Sequence, residues 1–215
     1  EEMNKGVDLY AGGQYQQAET HLEKATSLAE ENYQAWYNLG IIRVALKKWP
    51  EAAEAFAGAV ENKADEPMYL YHLGQAQYES GKTEFALSSL QKAIELNDRL
   101  YKAHYFLGKV YEQLGKPKEA AQAWTKSASM APSFSKSFLA LGRLYLRWDM
   151  LAEGVAVLEA GLAKAVAKQE RADLYYHLGL AQEKQGNHKE AAESYSEAIA
   201  ENIGADSAEG SQITL

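Results

Sequence analysis

The side chains that could do chemistry in this 215-residue chain are few and dispersed. Its five histidines, His21, His72, His104, His177 and His188, form no H-E-x-x-H pair or other close metal-ligand spacing. Cysteine is absent, which removes thiolate nucleophiles, thiolate metal sites and disulfides together. No glycine-rich phosphate loop appears, and adjacent carboxylates such as Glu30 and Glu31 read as a solvated helix end. The chain is therefore expected not to be an enzyme and to need no cofactor or metal. What remains is recognition. Tyr37, Tyr71, Tyr105 and Tyr176 each stand three residues before a glycine. Tyrosine supplies broad, rigid contact area with a hydroxyl at its tip, which suits peptide binding.

The spacing of those tyrosines belongs to a larger order. The stretches AWYNLG, YLYHLG, AHYFLG and SFLALG close on Gly40, Gly74, Gly108 and Gly142, at a constant interval of 34 residues. Gly6 lies one interval earlier, and Gly179 follows after a step of 37. A fixed period of this size marks a repeat architecture. With the closing glycine numbered position 8, each repeat reads as two amphipathic helices. Trp36 and Leu39 mark the first helix of repeat two, and Ala52, Phe56 and Ala59 the second. Gly13, Gly81, Gly115 and Gly186 end first helices, where glycine takes a left-handed conformation most easily. Small residues at positions 8 and 20 are expected to let the paired helices approach. One such pair cannot bury its own apolar face, so the pairs must stack.

Composition narrows the partners. The net charge of −8 opposes binding to nucleic acid, and none is expected. No apolar run approaches the roughly 20 residues that a membrane-spanning helix requires. The chain opens EEMNKG, inside its first repeat and without an initiator methionine, and reads as a processed form or an excised fragment. Cytoplasm and periplasm suit the cysteine-free chain equally.

The pattern W-x2-L-G-x2-Y…A-x3-F…A…P resembles the tetratricopeptide repeat family. Trp36, Leu39, Gly40, Ala52, Phe56 and Ala59 carry it in repeat two, and Leu107, Gly108, Tyr111, Ala120 and Pro132 in repeat four. The resemblance implies an all-α fold, a right-handed α-solenoid of stacked antiparallel helix pairs. Six repeats are expected over residues 1–203, near 1–32, 33–66, 67–100, 101–134, 135–171 and 172–203. Repeat five departs, with Asp149 at the turn glycine and Gly154 and Gly161 in place of alanines. Its three extra residues predict a lengthened second helix, from Ala152 to about Lys168. Residues 204–215, GADSAEGSQITL, lack helical periodicity and predict a non-helical tail.

The resemblance also implies a concave groove lined by first helices. Its peptide-contacting residues would be Tyr37, Asn38, Ile41, Tyr71, His72, Tyr78, Lys102, Tyr105, Lys109, Lys136, Arg143 and Tyr176. The lysines and arginines of repeats four and five, with Arg147, would orient acidic groups of the partner. Some family members clamp a C-terminal carboxylate through a lysine–asparagine–asparagine–lysine–arginine set. Only Asn38 matches here, and Val7, Met68 and His72 break the set. The expected function is a protein–protein interaction scaffold that binds a partner segment in its groove, in assembly of a larger complex. Two alternatives stand beside it: a regulatory or targeting module cut from a longer, enzymatic protein, and a protein that self-associates through its array ends or tail.

Overall fold

The computed structural model describes residues 1–209, and side-chain surroundings through 202. Twelve helices and no strand occupy the described residues. They form two compact units, Glu1–Lys116 and Pro117–Leu215, which divide between the two helices of repeat four.

The first unit holds α1 (Glu2–Ala11), α2 (Tyr15–Leu28), α3 (Tyr33–Ala45), α4 (Trp49–Asn62), α5 (Pro67–Glu79), α6 (Thr83–Leu96) and α7 (Tyr101–Gln113). Each helix packs on the next, and the first helices also touch across one position, α1 on α3 and α5 on α7. Local signals set the helix ends. The Asn32 side chain accepts the Ala35 N–H at 3.1 Å to open α3. Pro50 and Pro67 sit in first turns, where a missing N–H costs nothing. Position 15 of each repeat is left-handed: Gly13, Gly81, Gly115 and Gly186 have φ between 69° and 83°. Lys47 and Asp149 adopt the same conformation at φ 59° and 57°.

The pairing of helices runs through position 8. A Cβ at Gly6, Gly40, Gly74, Gly142 or Gly179 would fall 2.5–2.7 Å from Leu22, Phe56, Leu90, Leu158 or Tyr195. Each of these is the position-24 residue of the same repeat. The glycine therefore makes room for that large side chain, and at Gly6 an added Cβ would also lie 3.2 Å from the carbonyl of Ala18, the position-20 alanine of the same repeat. Buried clusters bridge successive repeats within the unit. Leu22, Leu39, Ile42 and Ala55 form one buried cluster, and Ala53, Phe56, Leu73 and Ala76 form another. One buried carboxylate joins the first two repeats. Glu19, 8% exposed, accepts from Arg43 Nε at 3.3 Å and Lys48 Nζ at 2.7 Å.

The second unit holds α8 (Pro117–Met130), α9 (Ser135–Arg147), α10 (Leu151–Leu162), α11 (Lys168–Lys184) and α12 (His188–Glu209). Its core gathers Leu146, Leu158, Ala165, Leu174, Leu178 and Ala181. Two expectations are corrected here. The second helix of repeat five does not reach Lys168; α10 stops at Leu162, and the added residues extend α11 at its N-terminus. The cause is local. Buried Gly161 lies against Phe138 and Leu174, with no room for a Cβ, and Ala165 turns back into the core. Glu170, in the first turn of α11, accepts the Ser135 hydroxyl at 2.6 Å and ties that turn to α9. The non-helical tail is also overrun, because α12 continues to Glu209. Within 204–209 Gly204 opposes a helix by about 1 kcal/mol, and Asp206 and Ser207 by less, while the alanines and Glu209 favour one. The rest of the tail, 210–215, lies outside the described residues.

Candidate peptide-binding face

Repetition turns the first helices of unit one into a row of rings. Tyr37 on α3 lies 4.6 Å from Tyr69 and 5.6 Å from His72, both on α5. His72 stacks on Phe56 at 5.4 Å and meets Tyr71 at 4.6 Å. Tyr71 and Tyr78 then each reach Phe106 on α7, with centroids 6.1 Å apart. Tyr105 stands edge-on to Phe106 at 5.5 Å. The row crosses three first helices without a gap wider than ordinary aromatic contact.

Cationic groups border the row. Lys109 Nζ sits 4.4 Å from the Tyr78 centroid and 5.0 Å from that of Phe106. The same ammonium donates to Glu79 at 3.1 Å. Lys102 is exposed, and its charge bears on His72. Burial, then the Lys102 charge, hold the His72 imidazole down to about 4, so the ring is neutral at physiological pH. Burial likewise pushes the Tyr37, Tyr71 and Tyr78 hydroxyls up.

The expected residues divide by exposure. Tyr37, Asn38, Ile41, His72, Tyr78, Tyr105 and Lys109 are half-buried and present an edge. Tyr71 is corrected: at 4% exposed it offers a partner no contact area, because the rings of His72 and Phe106 enclose it. Ile41 packs on the Phe56 and Leu73 cluster. Lys136 and Arg143 on α9 are exposed and belong to the second unit, as does Tyr176 on α11. The cationic side chains are thus shared between the units, and Lys109 is already paired with a carboxylate. Among the described residues no three acidic or histidine side chains gather as a metal site, and no helix is long and apolar enough to cross a membrane.

Comparison with known proteins completes the description. Family models described as tetratricopeptide repeat match residues 3–67, 101–134 and 172–204, and one described as TPR repeat matches 74–115. The chain belongs to the tetratricopeptide repeat family. The BBSome complex member bbs-4 of Caenorhabditis elegans is 28% identical over 167 residues, covering 74% of this chain and 36% of that protein. The chain thus spans about a third of the length of this relative. Among solved structures, PilW, a type IV pilus biogenesis factor, superposes with a TM-score of 0.77 at 20% identity, covering 93% of this chain and 91% of PilW. YrrB, described as a TPR protein with an unusual peptide-binding site, gives 0.63 at 19% identity, covering 84% and 91%. At these identities the structures speak for the fold alone. The tetratricopeptide repeat is a protein-interaction scaffold, and that is the class of function this fold supports.

Repeat register also shows what the sequence reading overlooked. Tyr69 and Phe106 complete the ring row, yet neither was among the residues expected to line the groove. Phe106 shares position 6 with His72, and each inserts beside the position-5 tyrosine of the preceding repeat. An aromatic or imidazole ring at successive sixth positions was the available signal.

Proposed function

We propose that this tetratricopeptide repeat chain binds a segment of another protein along the ring row of α3, α5 and α7. The observation that carries the reading is the row itself. Tyr37, Tyr78 and Tyr105 are held by their neighbours and still present an edge, so little rotamer freedom is lost on binding. Apolar anchors of the partner would lie against these rings and Ile41. Lys102, and Lys109 with its ammonium over Tyr78, would meet an acidic group beside the anchors. YrrB, as a TPR protein with a peptide-binding site, supports the general kind of activity.

The test compares two baits in affinity capture, the intact chain and a Tyr105→Ala, Lys109→Ala double variant with unchanged far-ultraviolet circular dichroism. Loss of two central contacts is expected to weaken a groove-bound prey by roughly 30-fold or more, about 2 kcal/mol. Prey held equally by both baits would remove the ring row from the function.

A second reading has its own support. The matched stretch of bbs-4 is a minor part of a protein named as a complex member. The chain would then act as one module of a larger assembly, and native mass spectrometry of the captured species would show several subunits rather than a binary pair.

A further inference from the structure

We propose that the cavity at the C-terminal ends of α2 and α4 holds an arginine side chain presented by another protein. The cavity lies wholly within the first unit, has a volume of about 700 Å³, and is lined by none of the ring-row residues. The half-buried indole of Trp36 forms one wall, and the exposed Glu30, Glu31 and Glu61 supply the charge. Gly58 makes that wall possible, because a Cβ there would fall 2.7 Å from the indole.

The side-chain donors of the lining are already spent. Trp36 Nε1 donates to the Glu30 carbonyl at 2.8 Å. Asn62 Nδ2 donates to the same carbonyl at 3.0 Å and to that of Gly58 at 2.9 Å. The Thr26 and Ser27 hydroxyls donate back to the Glu23 and Lys24 carbonyls, each at 2.9 Å. What the lining still offers is acceptors, above all the three carboxylates, which make no ion pair among the described residues. The flanking lysines are taken: Lys24 pairs with Glu2 at 3.1 Å and Lys63 with Glu66 at 3.7 Å. A pocket of spare acceptors takes a donor, and the carboxylates make that donor a cation.

Two helix ends add to the attraction. Thr26 and Ser27 lie in the last turn of α2, and Glu61 and Asn62 in that of α4. Neither helix carries a basic residue in its last turn, where a cation would offset the negative end of the helix dipole.

Repeat six shows which cation such a place accepts. Its Tyr175 occupies the repeat position of Trp36, and its Glu201 stands one position beyond that of Glu61. Arg171 joins the two. Its guanidinium carbon is 5.6 Å from the Tyr175 centroid, and its Nε donates to Glu201 at 2.6 Å. The residue of repeat two that matches Arg171 is Asn32, whose side chain caps α3 instead. Repeat two thus keeps the ring and the carboxylates and lacks the guanidinium. A planar guanidinium can lie on an aromatic face while its N–H groups reach carboxylates, which a lysine ammonium does less well. Within the unit, Arg43 is held by Glu19 and Glu23, and Arg99 lies in the turn between α6 and α7. Residues 210–215 contain no arginine or lysine.

The experiment titrates the full chain with N-acetyl-arginine amide and follows the indole N–H signal of Trp36 by nuclear magnetic resonance, assigned with Trp36→Phe. A saturable shift is expected, with none from the neutral isostere N-acetyl-citrulline amide. Glu30→Gln combined with Glu61→Gln should weaken binding by about tenfold. Both side chains are exposed, so this double variant should melt with the parent. Tyr105→Ala combined with Lys109→Ala should leave the binding unchanged, which separates this site from the ring row. Absence of a saturable shift, an equal response to the citrulline compound, or equal binding by the glutamine variant overturns the proposal. An equal shift with magnesium chloride at the same concentration also overturns it, since any cation would then serve. So does concentration-dependent dimerisation of the parent that the glutamine variant abolishes, since the occupant would then be a second copy.

Discussion

At the scale of single residues, His72 shows how a repeat position acquires an individual role. Its ring fills the space between Tyr37, Phe56 and Tyr71, where an ordinary packing residue would serve. Burial and Lys102 disfavour its charged form, so the folded chain takes up a proton near pH 4 and the unfolded chain near 6.5. Above pH 6.5 both forms are neutral and the full stability is present. As pH falls through this window only the unfolded state gains the proton, and stability declines by roughly 3 kcal/mol. Urea denaturation from pH 7 to 4 should show this decline. His72→Phe keeps a ring in place and should flatten the part that belongs to His72, leaving only the slope due to carboxylates. An identical slope in both proteins would show that His72 does not carry it.

At the scale of helices, position 15 sets where each first helix ends. Four repeats place glycine there, with open space where a Cβ would stand, so the constraint is the left-handed backbone alone. Lys47 and Asp149 pay a conformational penalty that glycine would avoid. Lys47→Gly and Asp149→Gly should each stabilise the chain by about 1 kcal/mol, partly offset by the greater freedom of glycine in the unfolded state. Thermal unfolding checks both, and a lower melting temperature in either would show that its side chain makes a contact that outweighs backbone strain. Helix ends were readable in the sequence where such local devices act, at the turn glycines Gly13, Gly81, Gly115 and Gly186. They were misread in repeat five and after Ile203. There Gly161 and Ala165 answer to the core, and weak local signals left the end of α12 open.

At the scale of the whole molecule, stacked repeats transmit stability chiefly to their neighbours. Gly40→Ala tests this. Its Cβ would meet the Phe56 ring at 2.5 Å, and that ring is fully buried against Tyr37 and His72 and cannot swing aside. The crowding, on the order of 1–3 kcal/mol, should exceed the helix propensity gained by alanine, about 1 kcal/mol. Hydrogen exchange should then quicken in α3, α4 and α5 while α11 and α12 keep their protection. Uniform loss of protection along the chain would mean that it unfolds as one cooperative block.

The 34-residue period by itself determined a repeat of helix pairs, because a glycine at position 8 and a large residue at position 24 recur in the same register, and the family followed from the motif residues and the matching family models. The period also placed the tyrosines on first helices. Only the tertiary structure decided which of them stay exposed. Tyr71 and Tyr105 occupy the same repeat position, yet Tyr71 is enclosed by rings on both sides and Tyr105 presents an edge. Exposure depends on the residues that the next repeat brings across, His72 over one tyrosine and Phe106 over another, and a single repeat does not contain that information.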